Sequence, residues 1–206
     1  MIQVHHLNNS RSQRVLWLLE ELGVPYEIVK YQRDAQTNLA PESLKKIHPL
    51  GKSPAIRDGD QVVIESGAIL EYLVRRHGRG RLAPAESSPD WPRYVQLMHY
   101  AEGSAMLPLM LKLYASRLGD AGAPLAPRIT SEIENHLGWL DSELAARDWF
   151  VGDSLTAADI QLSFVIQAAR MLHGLDKFPN LARVLERVKA RPAYQKALER
   201  GGPYAF

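Results

Sequence analysis

The stretch from Gly51 to Leu70 restricts the possible folds of this chain more than any other part of its sequence. Residues 55–58 and 61–64 can form two strands, because Gly59 lies between two aspartates and supplies the positive φ of a tight reversal. Pro54 stands before the first of them. A proline cannot donate to a sheet ladder, so it belongs at a strand start or an edge. The stretch therefore predicts a β-hairpin that begins at Pro54.

Each end of this hairpin offers a binding site. A cis peptide bond before Pro54 turns the preceding peptide group outward, where the backbone N–H and C=O of Ser53 are open to an extended peptide. At the other end, Ser66 is placed to cap a helix, and its hydroxyl and the first free N–H groups form a small anion site. We predict one site for a peptide backbone and one for a carboxylate, about a strand length apart.

Residues 1–79 alternate between strand and helix signals. Residues 2–7 and 26–31 have strand patterns, and a right-handed crossover through a helix makes them neighbours. With a short helix over 41–48, the hairpin and the helix from Ser66, the order βαβαββα predicts an α/β domain with a mixed four-stranded sheet of the thioredoxin-like kind. The buried face of the first helix consists of Val15, Leu18, Leu19 and Leu22.

The rest of the chain lacks strand signals. Residues 80–88 are rich in Gly, Pro, Ala and Ser and are predicted to be a linker. Residues 89–206 are then predicted to form an all-α domain, whose first helix runs from Trp91 to about Arg117 with a kink at Pro108. Other helix signals in this half are the apolar stripe Ile129, Ile133, Leu137, Leu140 and Leu144 and a capping box at Thr156 and Asp159.

Composition excludes several kinds of chemistry. The chain has no cysteine, which excludes disulfides, thiolate metal sites and redox chemistry with its own sulfur. A thioredoxin-like protein without cysteine must obtain its thiol from outside. His5 and His6 are adjacent on a strand and point to opposite faces, so they cannot chelate one metal together, and we expect no metal site.

Charge and hydropathy give further expectations. The net charge is only +2, and no basic run has interleaved aromatic residues, so we expect no nucleic-acid partner. No segment approaches the roughly 20 apolar residues of a membrane span, and the N-terminus lacks a signal-peptide profile. We expect a cytoplasmic protein with no membrane partner.

Two groups of residues resemble a known family. Lys52-Ser53-Pro54, followed by Glu65-Ser66 and Ala68-Ile69-Leu70, looks like the glutathione-binding half of the cytosolic glutathione transferases. The loop Ser10-Arg11-Ser12-Gln13-Arg14-Val15 resembles the serine-type, theta- or delta-like bacterial members. The capping sequence around Asp159 also matches the helical core of this family, so the resemblance covers nearly the whole chain.

The resemblance implies that glutathione is the co-substrate. Ser10 is the implied hydrogen-bond donor to its sulfur, with Ser12 as the alternative donor and Asn9 in support, although a serine at this position is also a common helix cap. The family usually has a hydrophobic residue where this chain has Ser53, a difference that we expect to matter little because the family uses the main chain there. The implied glutathione-binding residues are Asn9, Lys52, Ser53, Pro54, Glu65 and Ser66.

The resemblance also assigns roles in the second domain. Glu102 is implied to reach across a homodimer to the glutathione amine. The implied activity is conjugation of glutathione to apolar electrophiles or reduction of organic hydroperoxides, as in detoxification. The alternative is a family member without catalysis that serves as a binding or assembly module. The implied site for the apolar electrophile consists of Met106, Leu107, Met110 and Tyr114, which are otherwise ordinary core residues.

Overall fold

The computed structural model describes residues 1–202 and 204–205. They form two compact units. The first comprises Met1–Leu82 with Lys189–Ala205, and the second comprises Ala83–Val188. The first contains β1 (Ile2–Leu7), α1 (Ser12–Leu22), β2 (Tyr26–Tyr31), a 3₁₀ turn (Glu42–Lys46), β3 (Ala55–Asp58), β4 (Gln61–Ile64), α2 (Ser66–His77) and, from the C-terminal segment, α8 (Pro192–Gly201).

The sheet of the first unit has the order β2-β1-β3-β4. β1 pairs in parallel with β2 and antiparallel with β3, and β3 and β4 form the hairpin around Gly59. The predicted residues Val15, Leu18 and Leu19 of α1 have no exposed surface, but Leu16 and Trp17 are buried as well, so burial of α1 extends beyond the one predicted face. The predicted thioredoxin-like fold, with its mixed four-stranded sheet, is therefore confirmed.

One short element differs from its prediction. Residues 41–48 were expected to form a short helix, and the structure has a 3₁₀ turn over Glu42–Lys46. Pro49 follows closely and restricts the residue before it to extended conformations, so a longer α-helix has no room. Only Leu44 of this turn is fully buried.

The C-terminal segment belongs to the first unit, although the prediction assigned all of 89–206 to the helical domain. α8 packs on α1, where Trp17 and Tyr194 meet edge to face with ring centroids 5.2 Å apart. Glu20 on α1, whose side chain is 5% exposed, accepts charged hydrogen bonds from Lys196 and Arg200. These contacts place α8 outside the helical unit.

The second unit contains helices, turns and loops but no strand among its described residues. Its helices are α3 (Trp91–Tyr100), α4 (Met106–Ser116), α5 (Ala126–Glu143), α6 (Ala157–Leu172) and α7 (Pro179–Lys189). The all-α fold predicted for this part is thus confirmed. The apolar stripe of α5 is buried, and the capping box of Thr156 and Asp159 is present at the start of α6.

The long helix predicted over 91–117 is interrupted by a π-helical turn at Ala101–Ala105. Pro108 was expected to mark the kink, and it lies three residues beyond this turn. A proline removes the bond to the carbonyl four residues earlier and clashes with it. That carbonyl belongs to Ser104, inside the π turn, so the irregularity precedes the proline. No helix among the described residues is both long and apolar enough to cross a bilayer.

Candidate active site

The loop before β3 has the geometry predicted for a peptide-binding edge. The Ser53–Pro54 peptide bond is cis. The Ser53 hydroxyl donates to the His5 carbonyl at 2.8 Å and accepts the Leu7 N–H at 3.2 Å. The last residue pair of the β1–β3 ladder is His5 with Ala55. At this end of the ladder, main-chain groups of β1 are hydrogen-bonded by the Ser53 side chain.

This arrangement has a consequence for the Ser53 main chain. Its N–H and C=O make no hydrogen bond with the part of the chain that the structure describes. The side chain holds the loop against β1, and the main chain stays available to a ligand strand. The side chain of Ser53 therefore has a structural role that the sequence comparison with the family's usual hydrophobic residue did not anticipate.

Ser66 differs from its prediction as a helix cap. It is the first residue of α2, and Glu65 stands at the N-cap with φ 67° and no side-chain capping bond. The Ser66 hydroxyl instead accepts a hydrogen bond from Nη1 of Arg14 at 3.0 Å. Both side chains are buried, so a guanidinium lies directly behind the predicted carboxylate site.

Arg14 is a functional candidate that sequence reasoning missed. The only signal was a charged residue between buried positions of an amphipathic helix, which usually indicates a residue at the edge of the apolar face. In the structure only 2% of Arg14 is exposed. Its charge adds to the partial positive charge at the N-terminus of α2, and both favour an anion there.

Ser10 and Ser12 lie together at the start of α1, with their hydroxyl oxygens 2.7 Å apart. Ser10 Oγ donates to the Leu7 carbonyl at 2.8 Å, and Ser12 Oγ lies 2.8 Å from Nδ1 of His6. Both serines are buried. Their hydroxyl groups are therefore engaged by groups inside the protein. His6, which sequence reasoning considered only as a metal ligand, is part of this cluster.

The loop ahead of these serines is held by Arg33. Its side chain donates to the main-chain carbonyls of Asn8 and Asn9 at 3.2 and 3.3 Å, and its own N–H donates to Asn8 Oδ1 at 2.8 Å. Burial and the nearby charge of Arg11 lower the pKa of Arg33. Asn9 is half-buried and has φ 48°, a conformation that asparagine tolerates well.

Lys52 and Glu65, the other predicted glutathione-binding side chains, are exposed and form no ion pair with the described residues. Glu102 lies in the π turn of the second unit. Among the residues that the structure describes, no cluster of three or more His, Asp or Glu side chains is arranged to hold a metal ion.

The residues predicted to bind the apolar electrophile do not share one face of α4. Met106 is buried in the core, and Met110 is partly buried. Leu107 and Tyr114 are exposed by 57% and 54%, and Leu111, which the prediction omitted, is exposed by 44% between them. The spacing i, i+4, i+7 makes these last three an exposed apolar stripe, the α4 stripe.

Comparison with known proteins gives family matches in both halves of the chain. Residues 1–75 match the family model of the glutathione S-transferase N-terminal domain. Residues 123–187 match the model of the glutathione S-transferase C-terminal domain.

Relatives match over nearly the full length. Glutathione S-transferase 3 of Schizosaccharomyces pombe is 37% identical, over 97% of this chain and 88% of the relative. A glutathione S-transferase structure from Actinobacillus pleuropneumoniae has 35% identity and a TM-score of 0.88, over 98% of this chain and 93% of that one. A family member from Pseudomonas fluorescens, solved with two glutathione molecules bound, has 32% identity and a TM-score of 0.80, over 96% and 92%. This chain therefore belongs to the glutathione S-transferase family.

Proposed function

We propose that this glutathione transferase binds glutathione along the Ser53–Pro54 edge and activates its thiol for attack on apolar electrophiles or reduction of organic hydroperoxides. The observation that carries the proposal is the available main chain of Ser53 beside the cis bond. An extended cysteinyl residue needs one N–H and one C=O to pair with, and Ser53 offers both. The relative from Pseudomonas fluorescens is known with glutathione bound.

The γ-glutamyl end of glutathione is assigned to Ser66 and Glu65. Its α-carboxylate meets the first N–H groups of α2 and the Ser66 hydroxyl, with the Arg14 guanidinium behind. The exposed Glu65 side chain suits the positively charged α-amine. At the other end of the tripeptide, the exposed Lys52 pairs with the glycyl carboxylate, and Glu102 of a second subunit approaches the amine in the homodimer that we propose.

The loop Asn9–Ser12 supplies the group that stabilises the sulfur, in the manner of the serine-type members. A free thiol has a pKa of about 8.5, so only a few per cent is thiolate near neutrality. A fall of about two units corresponds to about 2.7 kcal/mol of stabilisation of the thiolate over the thiol. A hydrogen bond to the sulfur and the positive end of α1 contribute in this direction. Ser10 is the donor that sequence favours, and Ser12 is the alternative.

The apolar electrophile is assigned to the exposed side chains of α4, which offer apolar surface on a helix that is only partly buried. Leu107 and Tyr114 belong to the predicted set, with Met110 at its margin. Met106 then supports them from the core. Conjugation of such compounds in the cytoplasm is a detoxification activity.

A binding or assembly module without catalysis is the second candidate, because a fold by itself does not imply activity. Calorimetry with glutathione and the ultraviolet absorbance of the bound thiolate at neutral pH separate the two. The transferase shows micromolar to millimolar binding, a thiolate band and conjugation of a general aromatic electrophile. Binding without a thiolate band or conjugation identifies the module, and absence of binding refutes both.

A further inference from the structure

We propose that the side-chain amide of Asn9 is the hydrogen-bond donor to the glutathione sulfur, oriented for this role by the main-chain N–H of Ala205. The inference rests on the proposed function and names the donor within the loop Asn9–Ser12. It follows from the hydrogen-bond donors and acceptors of the neighbouring side chains His6, Ser10 and Ser12.

The ring of His6 has one donor and one acceptor nitrogen that can be told apart. The backbone of Gly201, at the end of α8, raises the pKa of His6 through a hydrogen bond, although burial outweighs it, and a backbone group that raises the pKa of a histidine is a carbonyl that accepts from its ring. The nitrogen on that side is Nε2, which would lie 3.3 Å from a methyl group placed on Gly201. Burial, followed by the charge of Lys30, lowers the pKa of His6 to about 4, so the ring is neutral near pH 7. A neutral imidazole has one donor and one acceptor nitrogen, and Nδ1 is therefore the acceptor.

The two serines donate their hydroxyl protons to acceptors inside the protein. Because Nδ1 of His6 accepts, the Ser12 hydroxyl donates its proton to the ring across 2.8 Å. The single hydroxyl proton of Ser10 has two acceptors within reach, the Leu7 carbonyl at 2.8 Å and the Ser12 oxygen at 2.7 Å. Both acceptors lie inside the protein. In this arrangement neither serine has a proton to offer to a sulfur outside.

The side-chain amide of Asn9 has a fixed orientation. The main-chain N–H of Ala205 donates to its side chain at 2.8 Å, and a donor can only be met by the amide oxygen. This fixes the orientation of the amide, with Oδ1 toward the C-terminal segment. The Nδ2 group makes no hydrogen bond with the described residues, and the side chain is half-buried rather than enclosed. Asn9 therefore presents two N–H donors at the loop surface.

The chemistry is a stabilisation and not a proton transfer by Asn9. The thiol loses its proton to water, the amide keeps both of its protons and donates to the resulting thiolate, and the thiolate then attacks the electrophile. Arg11 lies within the loop and Arg33 lies beside it, and both positive charges favour the same anion. Ala205 acts as a positioning residue through its N–H.

The test compares the apparent pKa of the bound glutathione thiol, read from thiolate absorbance against pH, in full-length variants. We expect Asn9→Ala to raise this pKa by about one unit, a tenfold loss of thiolate below the pKa, with the KM for glutathione changed less than about threefold. Asn9→Asp retains the acceptor for Ala205 and replaces the donor by an anion. The pKa of the bound glutathione thiol is therefore expected to rise further in this variant. Ser10→Ala shifts the pKa by less than Asn9→Ala.

Two further variants test the role of Ala205. Ala205→Pro removes its N–H and is expected to raise the thiol pKa, whereas Ala205→Gly retains the N–H and leaves it unchanged. Asn38→Ala is the matched control, since Asn38 is also an asparagine with positive φ, 59°, and is exposed. This substitution tests the effect of replacing an asparagine in the left-handed backbone conformation, away from Ala205. Thermal unfolding of each variant separates a changed donor from a damaged fold.

The outcomes distinguish this inference from the proposed function. If wild type binds glutathione with a lowered thiol pKa and Ser10→Ala abolishes that lowering while both Asn9 variants keep it, the donor is Ser10 and the inference is overturned. If Ala205→Pro behaves as wild type, the positioning role is overturned. If wild type does not lower the thiol pKa at all, the proposed function fails and this inference fails with it.

Discussion

The Ser53 hydroxyl donates to the main-chain carbonyl of His5 across 2.8 Å and so anchors the cis-proline loop to β1. Ser53→Val removes this bond and leaves the carbonyl of His5 and the N–H of Leu7 without their partner. A buried polar group without a partner costs about 1–3 kcal/mol. We expect a loss of about 2 kcal/mol in the free energy of unfolding by urea, and a rise of about tenfold in the Kd for glutathione measured by calorimetry.

Ser53→Thr retains the hydroxyl and should recover most of both losses. Ser116→Ala is a matched control, because Ser116 also donates to a main-chain carbonyl but is exposed on α4. Wild-type binding by Ser53→Val would show that the side chain does not hold the loop.

The charge of Arg14, behind Ser66, is expected to strengthen the binding of glutathione. Arg14→Met keeps the length of the side chain and removes the charge behind the carboxylate site. A hydrogen bond to a charged group contributes about 1.5–3 kcal/mol, so the KM for glutathione should rise at least about tenfold. Because removal of one partner of a buried polar contact also destabilises the fold, thermal unfolding of Arg14→Met is measured beside its kinetics, and the KM is compared at a temperature where the variant is folded.

Arg75→Met tests the loss of an arginine at the opposite end of α2, where the side chain is exposed and pairs with Glu71. Its steady-state kinetics should equal those of wild type. An unchanged KM for glutathione in Arg14→Met would place the carboxylate elsewhere.

The lowered pKa of His6 predicts how stability depends on pH. The ordinary value of 6.5 falls to about 4 in the folded protein, so the unfolded chain takes up a proton first as the pH drops. The free energy of unfolding is therefore highest above pH 6.5 and decreases between pH 6.5 and about 4, by about 3 kcal/mol from this group.

His6→Asn removes the titrating ring and should flatten this part of the stability profile, measured by urea unfolding at several pH values. His99→Asn, on an exposed position of α3, should leave the profile unchanged. An acid-induced loss that is the same in His6→Asn and in wild type would contradict the burial of a neutral His6.

The α4 stripe predicts where the electrophile is recognised. Leu111→Ser removes apolar surface from its centre, and full burial of such a side chain against a ligand contributes about 1.5–3 kcal/mol. We expect the KM for an apolar electrophile to rise by about tenfold while the KM for glutathione stays constant. Leu125→Ser is the control, since Leu125 is also an exposed leucine, by 55% against 44% for Leu111, but lies outside the stripe. Equal effects of the two substitutions would exclude the stripe as the electrophile site.

Several parts of this protein were accessible from the sequence because they depend on neighbours along the chain. The hairpin follows from Gly59 between two aspartates, and the capping box of α6 follows from two residues at a spacing of three. The parallel β1–β2 pair follows from two strand patterns separated by a helix. Periodicity and turn chemistry act over a few residues, so they can be read from one chain.

The sequence by itself determined the thioredoxin-like order of elements, the helical second half and the position of Pro54 at a strand start. Tertiary structure decided that Arg14 lies behind Ser66, that Ser53 anchors its loop to β1 and that α8 joins the first unit, where Gly201 meets His6 and Ala205 meets Asn9. The reason is distance along the chain. These contacts join residues 46 to 196 positions apart, and the direction of a hydrogen bond between such residues depends on packing that no local pattern records.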